Sequence, residues 1–232
     1  MIKRNIATPI SNKSIQMRNL MLYSLKKPNE PSKNENNNIL KIIPGYIPTF
    51  NILVATIGRD TLEKLIESLV DQLTENDCLT IVFDNNTIRE VNNVEKLKCK
   101  IIIINEENKL GYWGHGIRNK YASLLDKKDF ILHADDDDFY LPNSFGKLRK
   151  ECLNTNVLYI TKIIKNNKFI IPSNRADIII GNIGTPCGVI PYQYNIQGNW
   201  GYFYGGDGKY YVDLIKKIGG FIRLNIIIYK CG

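Results

Sequence analysis

Phe130-Ile-Leu-His-Ala-Asp-Asp-Asp-Asp-Phe-Tyr-Leu-Pro142 is the stretch on which the fold turns. Its apolar start, Phe130 to Leu132, reads as a buried strand. Four carboxylates, Asp135 to Asp138, follow directly. Phe139, Tyr140 and Leu141 return to apolar, and Pro142 suits the first turn of a new helix. The acids therefore close a buried strand and do not belong to a solvated tail. Adjacent carboxylates repel one another, and burying them unpaired is costly. A hard divalent cation, which prefers oxygen ligands, relieves that cost. Ligands of open α/β sheets bind beyond the carboxyl ends of the strands. The run is thus a candidate metal and phosphate site, and its competing reading is an acidic surface loop.

Working outward, the same grammar repeats. Asn51 to Thr56 is a β-rich apolar run, and Ile57-Gly-Arg-Asp60 turns the chain. Leu62, Leu65, Ile66, Leu69, Val70 and Leu73 recur at helical spacing. Leu79 to Phe83 is a second strand, ended by Asp84-Asn-Asn86. A polar helix or loop follows around Val91, Val94 and Leu97. Lys100 to Ile104 is a third strand, whose unbroken apolar run predicts burial on both faces. Gly111-Tyr-Trp-Gly-His-Gly116 turns into a helix carrying Ile117, Tyr121, Leu124 and Leu125. Strand and helix alternating up to Phe130 predict a parallel sheet with helices on its faces. After residue 150 the pattern loosens. Val157–Ile164 and Phe169–Ile171 read as a hairpin, Ile178–Ile180 and Val189–Ile190 as short strands. Asp207–Ile218 reads as a helix, and Phe221–Tyr229 as a last strand. The prediction is an α/β fold with a Rossmann-like, mostly parallel central sheet and an irregular mixed second half.

The 232 residues, 44% of them hydrophobic, suffice for one domain with a full core. The formal net charge is +8. Eight basic residues before position 51, against Glu30 and Glu35, hold six of those charges. Residues 1–49 are therefore a basic leader and linker, and 50–232 the domain. Within the leader, residues 15–25 can form a short helix, 26–38 read as a linker, and 39–43 as an edge strand. The leader lacks the basic and aromatic interleaving of a nucleic-acid binder, so no nucleic-acid partner is expected. The five cysteines are widely spaced without a CxxC pair, which argues against a zinc site or a disulfide framework. With neither a signal peptide nor a membrane span in view, a soluble cytoplasmic protein is expected.

Thr56, Arg59, Asp84 and Asp135 to Asp138 each fall just after a predicted parallel strand, so they should converge on one edge. Arg59 can grip phosphate with its planar fork, or can be a solvated surface residue. Asp84 can accept from a base N–H or from ribose hydroxyls, or can cap a turn. Arg118, near a helix start, faces either a nucleotide or solvent. No GxxxxGK[ST] and no GxGxxG is present. His133 reads as a packed strand residue, and Cys187 carries no catalytic partner.

Taken in order, these blocks resemble the GT-A-fold glycosyltransferases, in particular the inverting family-2-like group. Val54-Ala-Thr-Ile-Gly-Arg59 with Ser68-Leu69 and Gln72 is similar to the opening block, and Ile81-Val-Phe-Asp-Asn-Asn86 to the second-strand block. Asn108 to Asn119 is similar to the block ending in A-R-N, with Ile117 in place of Ala. Asp135 to Pro142 is similar to the metal-binding DXD element, and Gly205-Gly-Asp207 to the block that carries the base. The likeness spans residues 51–229. Ala55 stands where Pro is common, and Gly206 where an acid often precedes the base.

The resemblance implies a metal-dependent transfer, with inversion, from a nucleotide-diphosphate sugar, a UDP-sugar foremost, to a glycan, lipid-linked or protein hydroxyl. It implies Mn²⁺ or Mg²⁺ held by Asp135 and Asp137, with Asp138 orienting the donor sugar. Asp136 is either a bystander or part of the donor contact. Asp207 becomes the general base. Thr56, Arg59, Asp84 and Arg118 join the donor site. Thr185 and Pro186, in a loop similar to the family's pocket loop, together with Trp200 and Gly206, join the acceptor and sugar pocket. Trp200, Tyr202 and Tyr204 can stack on sugar rings or be half-buried packing. The alternative is a catalytically silent GT-A-like module that binds a nucleotide sugar or a glycan.

Overall fold

The computed structural model describes residues 45–174 and 177–231. The expected leader helix, linker and edge strand lie outside the described residues. The strands are β1 (Phe50–Thr56), β2 (Cys78–Phe83), β3 (Lys100–Asn105), β4 (Phe130–Asp135), β5 (Phe139–Tyr140), β6 (Tyr159–Lys165), β7 (Phe169–Ile171), β8 (Gly188–Pro191) and β9 (Ile222–Cys231). The helices are α1 (Leu62–Leu69), α2 (His115–Tyr121), α3 (Ser144–Glu151), α4 (Tyr192–Asn195) and α5 (Gly206–Ile218). The strands form one sheet in the order β3-β2-β1-β4-β8-β6-β9-β5, with β7 paired to β6. The first four run parallel to one another. Beyond them β8 is antiparallel to β4 and to β6, while β9 is parallel to β6.

Strand β1 is central and buried along its whole length. Its side chains alternate between two layers, as a pleated strand requires. Phe50, Ile52 and Val54 meet the apolar stripe of α1 and Phe145 and Leu148 of α3 on one face. Leu53 and Ala55 meet Ile117 and Tyr121 of α2 on the other. Register then sets the site. Thr56 lies beside Phe83, and Ala55 beside Asp135, so Thr56, Asp84 and the acid run all emerge at one sheet edge.

Four expectations change. Strand β3 is at the border of the sheet and none of its residues is buried, because its outer edge has no strand partner among the described residues. Helix α1 stops at Leu69, since Asp71 adopts a left-handed φ of 59° and Gln72 turns to the Leu141 carbonyl; Leu73 is still buried. The segment before β3, read as a polar helix or loop, is a loop holding one 3₁₀ turn, Val94–Lys96, but residues 178–180 form no strand. Phe139–Tyr140, which showed only as an apolar return, is a strand paired antiparallel with β9 at Lys230 and Tyr229. No helix among the described residues is long and apolar enough to cross a membrane.

Asp77 ties the far end of this assembly together. Its fully buried carboxylate accepts from the Phe50 and Thr74 amides at 2.9 and 2.8 Å and pairs with Arg149 of α3. Removing one member of a buried pair strands the other charge. Asp77→Ala is therefore expected to cost about 3–5 kcal/mol in urea unfolding; a loss below about 1 kcal/mol would contradict this role.

Candidate active site

The carboxyl ends of β1, β2 and β4 open into a cleft of about 530 Å³. Six carboxylates line it, Asp84, Asp135 to Asp138 and Asp207, against the cations Arg59 and Lys165. Thr56, Thr185 and Pro186 line it as well. Ten of the residues expected from the sequence thus meet in one place.

The acid run is held from both ends. Asp136 is the most deeply embedded. Its carboxylate accepts from the Thr56 hydroxyl at 2.6 Å and from Arg59 Nη1 at 3.0 Å. Burial outweighs these bonds and raises its pKa. Asp136 thus binds the run to the end of β1. The neighbouring Asp137 is half exposed and shares the same Arg59 nitrogen at 2.6 Å. Arg89 braces the turn beneath, donating to the Gly58 and Arg59 carbonyls at 2.8 and 2.6 Å and pairing with Glu63 at 2.7 Å. At the other end Tyr229 of β9 hydrogen-bonds the Asp135 backbone at N and O, both at 3.2 Å. Asp138 is buried and hydrogen-bonds the Cys231 thiol.

Arg118 does not line the cleft. It is 0% exposed and donates to the Trp113 and Ala134 carbonyls at 2.9 and 3.1 Å and to Asp135 Oδ1 at 2.5 Å, with Trp200 beneath it at 5.1 Å. It holds Asp135 from behind, a role the expected donor contact did not include. Trp200, expected in the acceptor pocket, is also turned inward, stacked on Tyr210 at 4.3 Å. Gly206, expected beside it, is buried without lining the cleft; a Cβ there would stand 2.0 Å from the Gly201 carbonyl oxygen. The acid found at that position in the family therefore has no room.

Asp207 is in the first turn of α5, where Gly208 N–H donates to its Oδ1 at 2.7 Å. Burial first, and the negative charge of Asp135 next, raise its pKa. His115 lines the cleft nearby. Its Nδ1 is 2.7 Å from the Gly201 carbonyl oxygen, and burial holds its pKa below the ordinary value. Asp84 spends both oxygens on one loop, accepting from Leu110 N and Gly111 N at 2.7 and 2.8 Å. His133 is a packed strand residue, as expected, bonded to Asn195 at 2.8 Å and lowered to about 3 by burial. Sequence reasoning did not single out Trp113, His115 or Lys165. Lys165 ends β6, which joins this edge only through the order of the sheet.

Among the described residues no three His, Cys, Asp or Glu side chains converge on one cation position. Asp135 and Asp137 each turn one oxygen to a guanidinium, and among the described residues Asp135 Oδ2 and Asp137 Oδ1 have no hydrogen-bond partner.

Residues 46–211 match the model of glycosyl transferase family 2. Solved structures share the fold. S. aureus TarS 1–349 aligns with a TM-score of 0.60 at 16% identity, over 79% of this chain and 60% of that one. Its complex with UDP-GlcNAc gives 0.56 at 15%, over 79% and 58%. The mannosyltransferase PcManGT from Pyrobaculum calidifontis, in complex with GDP-Man and Mn²⁺, gives 0.54 at 12%, over 93% and 65%. The chain thus spans 60% of the length of TarS 1–349. No curated protein sequence matches it.

The Arg118 contacts generate a prediction. Arg118→Met removes three hydrogen bonds and leaves Asp135 without its cation. It is expected to cost about 3 kcal/mol in urea unfolding, the low end for a broken buried pair because Asp135 is partly exposed. Arg118→Lys, which keeps the charge but not the fork, should fall between that variant and wild type. Equal stability of all three proteins would refute the role.

Proposed function

We infer that this chain, which belongs to glycosyl transferase family 2, transfers a sugar from a nucleotide-diphosphate donor to an acceptor hydroxyl with inversion. The observation that carries the reading is the meeting of Arg59, the acid run and Asp207 in one cleft at the carboxyl ends of the parallel strands. Family membership and the GT-A fold support it. The likeness to structures solved with UDP-GlcNAc and GDP-Man supports it as a likeness of fold.

The charge balance bears on the metal. A diphosphate carries negative charge into a cleft that already holds six carboxylates and two cationic side chains. Like charges at that density repel unless a cation is added. Asp135 and Asp137 each have one oxygen with no partner among the described residues, and magnesium sites commonly take one or two carboxylates plus substrate phosphates. These residues therefore fit Mn²⁺ or Mg²⁺. When bound, such an ion offsets the charge that develops on the departing diphosphate.

The side chains supply the rest. Arg59 neutralises part of the diphosphate, Asp84 accepts from the base or ribose, and Asp138 orients the sugar. The acceptor oxygen forms a bond to the anomeric carbon as the bond from that carbon to the diphosphate oxygen breaks. The acceptor proton passes to Asp207, and the nucleoside diphosphate leaves. Attack opposite the leaving group inverts the anomeric centre. The raised pKa of Asp207 makes it a stronger base than an exposed carboxylate. Thr185 and Pro186 border the space the transferred sugar would fill.

Three outcomes are expected. In a panel of nucleotide sugars, one donor should raise the melting temperature with Mn²⁺ and be slowly hydrolysed, and Asp137→Ala should lose both effects. No melting shift with any donor at millimolar concentration would sink the reading. Asp207→Asn should lower kcat by about 10²–10⁴-fold while the donor-induced melting shift persists. In wild type, kcat/KM should fall as pH drops through the raised Asp207 pKa, with that acid limb above the ordinary value of about 4. An acid limb at or below the ordinary value would assign the base elsewhere.

A further inference from the structure

Four large aromatic side chains stand exposed at the mouth of the cleft. Tyr112 and Trp113 come from the loop before α2, Tyr202 and Tyr204 from the loop before α5. Their exposures are 52, 64, 55 and 75%. They meet across the two loops, Tyr112 against Tyr202 at 4.7 Å and Trp113 edge-on to Tyr204 at 5.9 Å. Trp113 and Tyr204 line the same cleft as Asp207. Single exposed rings are ordinary, but contiguous ones mark a binding surface.

The backbone beneath is strained in a way that keeps the rings outward. Gly111, Tyr112, Trp113 and Gly114 have φ of 62, 54, 54 and 79°. Left-handed φ is an outlier for bulky residues and persists only where the surroundings impose it. Here Asp84 fixes the Gly111 amide, and Arg118 fixes the Trp113 carbonyl. Gly114 must stay a glycine, since a Cβ would stand 2.6 Å from that of Ala55. The site's own charged residues thus hold the aromatic loop in place.

We propose that these four rings form a stacking platform for the pyranose rings of a neutral glycan acceptor, resting on the transferase reading above. The platform seats the acceptor so that its reacting hydroxyl reaches Asp207. Aromatic faces carry negative charge density that attracts the C–H face of a sugar, and the tyrosine hydroxyls meet the sugar's own. The acidic cleft alongside disfavours anionic acceptors and anionic lipid surfaces. The tilts of 43 and 75° between ring planes present separate faces, and not the flat apolar sheet a bilayer would meet.

The two tryptophans allow a direct test. Trp200 is 2% exposed, so emission that responds to an added ligand reports Trp113. The full chain is titrated at millimolar concentration with cellotetraose, maltotetraose, mannotetraose and chitotetraose, and separately with phosphatidylcholine and phosphatidylglycerol vesicles. At least one oligosaccharide should shift the emission saturably. Tyr202→Ala and Tyr204→Ala should each weaken that binding about tenfold. Trp113→Phe should abolish the signal but leave binding measurable by calorimetry. The proposal is overturned if no oligosaccharide binds, if the alanine variants bind as wild type does, or if only vesicles shift the emission. Donor hydrolysis by wild type is measured alongside. Glycan binding without hydrolysis supports the platform and overturns the transferase reading, while hydrolysis without glycan binding does the reverse.

Discussion

Four consecutive carboxylates have to be held within about one turn of chain, and two guanidiniums make that possible. Arg59 faces the run from the end of β1 and touches Asp136 and Asp137, and Arg118 faces it from behind and touches Asp135. Arg118 is not interchangeable with lysine in this role, because it bonds three acceptors through both arms of its planar fork, whereas Arg59 reaches both of its carboxylates from one nitrogen. The rest of the cleft is arranged around that compensation. Thr56 anchors Asp136 to the central strand, and Tyr229 fixes the Asp135 backbone from the last strand of the chain. The two halves of the sheet are therefore joined where the charge is densest.

The parallel half was legible because its signals are local. Each of β1, β2 and β4 is an apolar run closed by a polar turn, and such runs need nothing beyond their own neighbours to be seen. The register of a parallel sheet then carries Thr56, Asp84 and Asp135 to a single edge. What escaped depends on partners distant in sequence. Phe139–Tyr140 is a strand only because β9 lies beside it, some ninety residues later. Burial of β3 could not be judged from its isoleucines, since a border strand and a central one can share the same composition.

The same limit governs the site. Asp135 to Asp138 stood out because charge beside an apolar run is conspicuous, and Asp207, set among glycines, stood out only through the family resemblance. Arg118 showed as a residue near a helix start, and nothing local reveals that its guanidinium points away from the cleft into the protein. Within Trp200 to Tyr204 every residue but Gly201 is aromatic, so the sequence could not say which rings face in. Packing decides it: Trp200 fills the space between Arg118 and Tyr210, and the two tyrosines are left outside. Gly206 occupies a position where backbone approaches backbone, and a glycine seen only in sequence does not announce why it is there.

Asp84 carries one more consequence. Both of its oxygens already hold the amides of Leu110 and Gly111, at the root of the loop that bears Trp113. A nucleotide that hydrogen-bonds this carboxylate therefore draws on the electron density that keeps the loop seated. The two events are thermodynamically linked, and the linkage is reciprocal: whatever factor the nucleotide imposes on the seated loop, the seated loop imposes on nucleotide affinity. Coupling between a nucleotide and the aromatic loop can thus rest on a single carboxylate, without any moving domain.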